Sequence, residues 1–216
     1  MVLLKPECLI LDFNGTTEND RDAKFRGVKA IFDHYEVPHP PIDTFFDEVG
    51  PDYIKTYRKF GIPHSATARE ISQIWETYFH TNRNGIKLQP GLRELLIFAR
   101  DIGLKRGIVS GEATSILNHR LAIRNLRQFF NLVWGDCTDK DNSLRRACVQ
   151  LSVERGKTVY VDDNHDGLIQ AKTTGIITIG FTAGWQSMGR IAQSNPNFPA
   201  NSHFKVKEII ADLCST

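Results

Sequence analysis

The chain has 216 residues, 41% of them hydrophobic and 24% charged, with 27 Lys+Arg against 25 Asp+Glu and a formal net charge of +2. That length can bury one good core, or a core plus a small accessory domain, and the composition is globular rather than disordered. The charges are interspersed and form no basic stripe able to track a phosphate backbone, so no nucleic-acid partner is expected.

At the amino terminus the apolar run in MVLLKPECLILDF is short and is broken by Pro6 and Glu7, unlike a signal peptide. No stretch has the length needed to cross a bilayer. A cytoplasmic protein with no membrane partner, monomeric or homodimeric, is therefore expected. Cys8, Cys137, Cys148 and Cys214 show no C-x-x-C spacing and read as small hydrophobes in a reducing compartment. The first element is Leu9-Ile10-Leu11, a buried strand that delivers Asp12 into the turn-forming pair Asn14-Gly15, followed by Thr16 and Thr17.

From about Asp22 to Asn84 the apolar spacing is helical. Phe25, Val28, Phe32 and Tyr35 step by three, four and three, and Ile71, Ile74, Trp75, Tyr78 and Phe79 form a fuller face. His39-Pro40-Pro41 and Gly61-Ile62-Pro63 interrupt this stretch, leaving two shorter pieces around Phe45–Val49 and Asp52–Phe60. The block reads as about four helices, with Trp75 and Tyr78 in its core and Lys55, Arg58 and Lys59 on solvated faces.

After Gln89-Pro90-Gly91 the pattern alternates. Leu92, Leu95, Leu96, Ala99 and Ile102 make a helix face ended by Gly103. A strand Gly107–Val109, a helix over roughly Ala113–Gln128 and a strand at Leu132–Trp134 come next. A helix near Ser143–Val153, the strand Thr158–Val161, a helix Gly167–Thr174 and the strand Ile176–Phe181 follow. Strands alternating with helices imply crossovers and a parallel sheet, whose ligands sit at the carboxyl ends of the strands.

Polar residues gather at those ends. Asp12 follows the first strand, and Ser110-Gly111 follows Gly107–Val109. Asp162-Asp163-Asn164-His165-Asp166 follows Thr158–Val161, and Lys140 stands in the loop before the helix leading into that strand. Singly, Asp12 with Asn14 reads as a turn, Ser110 as a helix cap and Lys140 as a surface lysine. Three carboxylates within five residues are harder to dismiss, because they repel unless a cation sits among them. Together the four signals describe phosphoryl transfer. A carboxylate nucleophile attacks phosphorus, donors hold the phosphoryl oxygens, and acids hold Mg²⁺.

The pattern resembles the haloacid dehalogenase superfamily, mostly phosphatases, over nearly the whole chain. DFNGTT is similar to its first motif, hydrophobic-DxDGT, and GIVSG to its second. Lys140, 22 positions before Asp162, fits the third, and VYVDDNHDGLIQAKTTG resembles the fourth, usually written VGDSxxDxxAAKxAG. The resemblance implies an α/β fold, a Rossmann-like parallel sheet core (1–17 and 88–216), with an inserted α-helical cap domain (18–87). The cap is similar to that of phosphoglycolate phosphatase and beta-phosphoglucomutase relatives, and would close over the site with a specificity loop near Gly50-Pro51. It further implies Asp12 as nucleophile and metal ligand, and the Asn14 carbonyl, Asp162 and Asp166 around a Mg²⁺ ion. Ser110, Gly111 and Lys140 would hold the phosphate together with Gly15 and Thr16, and the substrate would be a small phosphomonoester. Asp163 stands where the family often has Ser and receives no role.

The chain departs from the pattern at Asn14. Family phosphatases have an aspartic acid there, which protonates the leaving alcohol and then deprotonates the hydrolytic water. Asn is similar in shape and can do neither, and losing a positioned acid/base costs ~10²–10⁴ in rate. Three accounts fit: an introduced substitution, a natural enzyme using another base or a leaving group that needs no proton, or a non-catalytic phosphate-binding or interaction protein of the same fold. Transport ATPases of the superfamily, with threonine at this position, show that a non-acid is tolerated there.

Overall fold

The protein is described from a computed structural model that covers residues 5–50, 52–82 and 85–215. Pro51, in the expected Gly-Pro turn, and Asn84, at the end of the helical stretch, lie outside the described residues.

The chain opens with β1 (Cys8–Leu11) and β2 (Glu18–Asn19). Four helices follow, α1 (Arg21–His34), α2 (Ile42–Glu48), α3 (Tyr53–Lys59) and α4 (Ala68–Asn82), and then β3 (Lys87–Leu88). From there helices and strands alternate: α5 (Leu92–Asp101), β4 (Lys105–Val109), α6 (Thr114–Ile123), β5 (Leu132–Trp134), α7 (Lys140–Leu151), β6 (Thr158–Asp162), α8 (His165–Thr173) and β7 (Ile177–Phe181). The final elements are α9 (Met188–Gln193), β8 (Phe198–Ala200) and α10 (His203–Ser215). The chain divides into two compact units, Met1–Glu18 with Leu88–Thr216, and Asn19–Lys87. The short strands β2 and β3 pair where the chain leaves the first unit and returns.

The first unit is an α/β fold around a six-stranded sheet of order β5-β4-β1-β6-β7-β8, with every pairing parallel. β1 lies inside the sheet and is buried along its whole length, which explains its unbroken apolar sequence. Its side chains alternate between two cores. Leu9 and Leu11 join Val159, Val161, Ile177 and Ile179 under α5, α6 and α10, while Cys8, Ile10 and Tyr160 pack under α7 and α8 through Leu144, Ala147, Cys148 and Ala171. The four cysteines are free thiols, and Cys8, Cys137 and Cys148 are buried.

Two boundaries differ from the periodicity. The helix expected to reach Gln128 stops at Ile123, because Asn125 takes a left-handed conformation (φ 53°), and a separate 3-10 turn covers Arg127–Phe129. Lys140, expected in a loop, is instead the first residue of α7. Asp139 caps that helix by accepting from the Asn142 amide at 3.1 Å. β8, α9 and α10 complete the sheet and one core beyond the alternation read as far as Phe181.

The second unit is the helical insertion. Phe25, Phe32, Phe45, Phe46 and Tyr57 pack ring against ring at its centre. Trp75 stacks on Phe79 with centroids 4.5 Å apart, and the Lys24 ammonium lies 4.6 Å from the Trp75 ring centroid. Arg58 is a structural residue, donating to the Ile62 and His64 carbonyls, and Lys59 pairs with Glu48. Among the described residues, no helix is long and apolar enough to cross a membrane.

Candidate active site

The sheet register assembles the site. Leu11 lies opposite Ile108 on one side and Val161 on the other, so one residue further Asp12 comes level with Val109 and Asp162. The Asp12 amide continues the ladder by donating to the Val161 carbonyl at 2.9 Å. Three strands thus end at one height, and the polar residues that follow them meet.

Carboxylate oxygens of Asp12, Asp162 and Asp163 lie within 4.8 Å of one another, and all three residues are buried. Lys140 reaches the group from the first turn of α7, donating to Asp12 Oδ1 at 2.7 Å and to the Val109 carbonyl at 2.6 Å. Burial works against its ammonium, yet Asp12 and Asp162 more than offset this and hold its pKa above the usual lysine value. Burial, then Asp12, pushes Asp162 up to about 7 in spite of Lys140. Asp163 is pushed well above the carboxylate range by burial and by its two acidic neighbours. Three carboxylates against one ammonium leave an excess of two negative charges when all are ionised. A divalent cation with oxygen ligands fits that donor set.

Each carboxylate is held. Asp162 accepts from the Tyr160 hydroxyl at 2.7 Å and from the Asn164 amide at 3.0 Å. Asp163 accepts from Thr16 Oγ1 at 2.9 Å and from the Trp185 amide at 2.6 Å. The turn after Asp12 is fastened from further along the chain. Gln89 Nε2 donates to the Gly15 carbonyl at 2.6 Å, and His203 Nε2 to the Thr16 carbonyl at 2.8 Å. Burial lowers the His203 pKa to about 4, so the ring is neutral. Gly15 has φ +73°, and a Cβ there would stand 2.1 Å from Asp163 Oδ2, so only glycine lets the turn pass this carboxylate.

Ser110 is buried at the end of β4, where its hydroxyl accepts from the Glu112 amide at 3.3 Å. Asn14 is half-buried and bridges two charges. Its Oδ1 accepts from Arg120 Nη1 at 3.3 Å, and its Nδ2 donates to Glu112 Oε2 at 3.4 Å. Arg120 also pairs with fully buried Glu18, which Arg124 contacts as well, and its guanidinium lies over the Phe13 ring.

A family model for haloacid dehalogenase-like hydrolases matches residues 9–181, most of the chain and all of the strand ends just described. The chain belongs to the haloacid dehalogenase-like hydrolases. It is similar to a pyrophosphatase PpaX of Anoxybacillus flavithermus, 23% identical over 213 residues that cover 88% of this chain and 90% of that one. Among solved structures, it is similar to a predicted phosphoglycolate phosphatase from Haemophilus somnus (TM-score 0.81, 16% identity, 96% of this chain and 99% of the other). A haloacid dehalogenase-like hydrolase from Streptococcus pneumoniae is similar too, with TM-score 0.79, 17% identity and coverage of 95% and 98%.

With the family shown, the fourth motif can be set in register against its pattern. Ala171, Lys172 and Gly175 align with the closing AAKxAG only when the motif's first aspartate falls on Asp163, its serine on Asn164 and its second aspartate on Gly167. Asp163, given no role above, is one of the three clustered carboxylates. Asn164 caps α8, accepting from the Asp166 and Gly167 amides. Asp166, expected at the metal, is not in the cluster, and its carboxylate lies 2.9 Å from His165 Nδ1. Asp162 is in the cluster as expected, but from the position where the pattern has glycine. Tyr160 lies within the fourth-motif segment but on its apolar strand, and Gln89 and His203 lie outside the motifs. Glu112 and Arg120 follow the second motif closely but match nothing in its pattern.

Proposed function

We propose that the chain is a Mg²⁺-dependent phosphohydrolase acting on a small phosphoester or phosphoanhydride through a phosphorylated Asp12. The observation that carries this reading is the buried Lys140 ammonium against Asp12, with Asp162 and Asp163 alongside at the ends of neighbouring strands. Asp12 attacks phosphorus with the oxygen that Lys140 does not occupy. Ser110, Lys140 and the backbone amides of Gly15, Thr16 and Gly111 hold the phosphoryl oxygens. Asp12 and Asp163 would hold the ion, with Asp162, fixed by Tyr160, in the same cluster. The ion would neutralise phosphate charge, so that an anionic nucleophile can approach.

Asn14 stands at the family's acid/base position, and its neutral amide can serve as neither acid nor base near neutral pH. This favours leaving groups that depart as anions: phosphate from pyrophosphate, an acyl group, or a phenol. The pyrophosphatase name of curated relatives points to the same class. The test is phosphate release from pyrophosphate, acetyl phosphate and an alkyl phosphate, with Mg²⁺, by the parent and by Asp12→Asn. Turnover of the first two that Asp12→Asn abolishes is expected. Turnover that survives Asp12→Asn would remove Asp12 as nucleophile, and no release from any substrate would leave a phosphate-binding protein.

A further inference from the structure

Asn14 leaves the hydrolytic water without a base at the family's position, but a carboxylate lies directly against it. Glu112 follows Ser110-Gly111 and precedes α6. Its Oε1 accepts from the Ala113 amide at 3.3 Å, and its Oε2 stands 3.4 Å from Asn14 Nδ2 and 3.5 Å from Arg120 Nη1. Backbone, amide and guanidinium therefore fix this carboxylate in one place. Its side chain is 15% exposed, enough to meet a water molecule, whereas neighbouring Glu18 is fully buried. The Asn14 amide has only one sensible orientation here. Arg120 donates to its oxygen, so its NH₂ faces Glu112. The carboxylate missing from position 14 is thus found one hydrogen bond away.

We propose that Glu112 is the catalytic base that clears phosphorylated Asp12, an inference that rests on the phosphohydrolase reading. Glu112 Oε2 takes a proton from a water lying against the Asn14 side chain, directly or through one further water. The water oxygen bonds to phosphorus as the bond from phosphorus to the Asp12 oxygen breaks. Asp12 returns to its carboxylate, inorganic phosphate leaves, and the proton on Glu112 passes to solvent. The first step uses no proton when the leaving group departs as an anion, so Glu112 acts on the second step alone for such substrates. Asn14 and Arg120 are positioning residues for this carboxylate.

The experiment separates the two steps. Parent, Glu112→Gln and the double variant Asn14→Asp/Glu112→Gln are mixed with acetyl phosphate and Mg²⁺, and phosphorylated Asp12 is followed by intact-mass spectrometry after a quench. Glu112→Gln should form the adduct as fast as the parent but lose it ~10²-fold more slowly or worse, so the phosphorylated chain accumulates. The double variant, with the carboxylate moved back to position 14, should clear the adduct within about tenfold of the parent rate, a rescue that a merely structural role would not produce. Parental decay in Glu112→Gln overturns the inference while leaving the phosphohydrolase reading intact. Absence of any adduct and any turnover in every variant overturns that reading, and this inference with it. Should Glu112→Gln not fold, Glu112→Asp decides. It keeps the charge against Arg120 but withdraws the carboxylate by one methylene, and unchanged decay there overturns the assignment equally.

Discussion

Asp12 stands between two buried charge groups of opposite character. Toward β6, three carboxylates share one ammonium. Toward α6, Glu18 and Glu112 face Arg120 and Arg124, two against two. The first group is incomplete and draws its compensation from outside, as a metal ion or as protons. The second is complete within the chain. On the proposed reading the first group takes up a divalent ion and the second does not, so ions in solution should act on one and not on the other.

The sharpest break of this contrast is Lys140→Met. It strips the Lys140 ammonium from the buried carboxylate cluster, and removing one partner of a buried pair costs about 3–5 kcal/mol. Urea unfolding near neutral pH should show a loss of that order without metal, and Mg²⁺ should restore a large part of it. Arg120→Met tests the other side. Arg124 still reaches Glu18, so the expected loss is smaller, about 2 kcal/mol, and Mg²⁺ should restore none of it. Equal rescue of the two variants would show that the groups are not separate.

The smallest effect is a pH dependence in which two terms oppose. Asp162 is raised from 3.8 to about 7 in the folded state, so the native protein holds more protons than the unfolded chain between those values. Its contribution is present in acid and is lost as pH rises toward 7. His203 is lowered from 6.5 to about 4, so there the unfolded chain holds more protons, and stability is lost as pH falls from 6.5 to 4. Asp163 is raised as well and acts in the same sense as Asp162, so without metal these carboxylates oppose the His203 term. Saturating Mg²⁺ displaces the protons on the carboxylates and should leave the His203 slope alone. Unfolding measured from pH 4 to 7.5 should then show stability rising with pH, and His203→Gln should flatten that rise. A metal-free protein with the same slope would count against protonated carboxylates in the cluster.

Much of this was legible in the sequence because strands in a parallel sheet end together. Asp12, Ser110 and Asp162 each follow an apolar run, and pairing alone brings them level. That Asp163 joins Asp162 in the cluster was not legible from local acidity, since adjacent carboxylates look alike there. The helix that follows separates them, through Ala171, Lys172 and Gly175. Lys140 was misplaced into a loop because its helix starts at the Asp139 cap, three residues before the expected start. The Glu18–Arg120–Glu112 group was out of reach for another reason. Glu18 stands about a hundred residues before the other two, and a buried arginine on a short helix carries no periodic signal. In the helical insertion the pattern of breaks located four helices, but Arg58 reads as an exposed cation and is in fact tied to three backbone carbonyls of the next turn.

The hold that His203 has on the Thr16 carbonyl spans 187 residues of chain. The turn after Asp12 is therefore fastened by residues that follow it by 74, 147 and 187 positions. β1 likewise depends on β4 and β6, which follow it by roughly a hundred and a hundred and fifty residues, so both ladders of the central strand are long-range in sequence. A protein cut short before α10 could keep every residue of the carboxylate cluster and still leave the turn beside it unlatched.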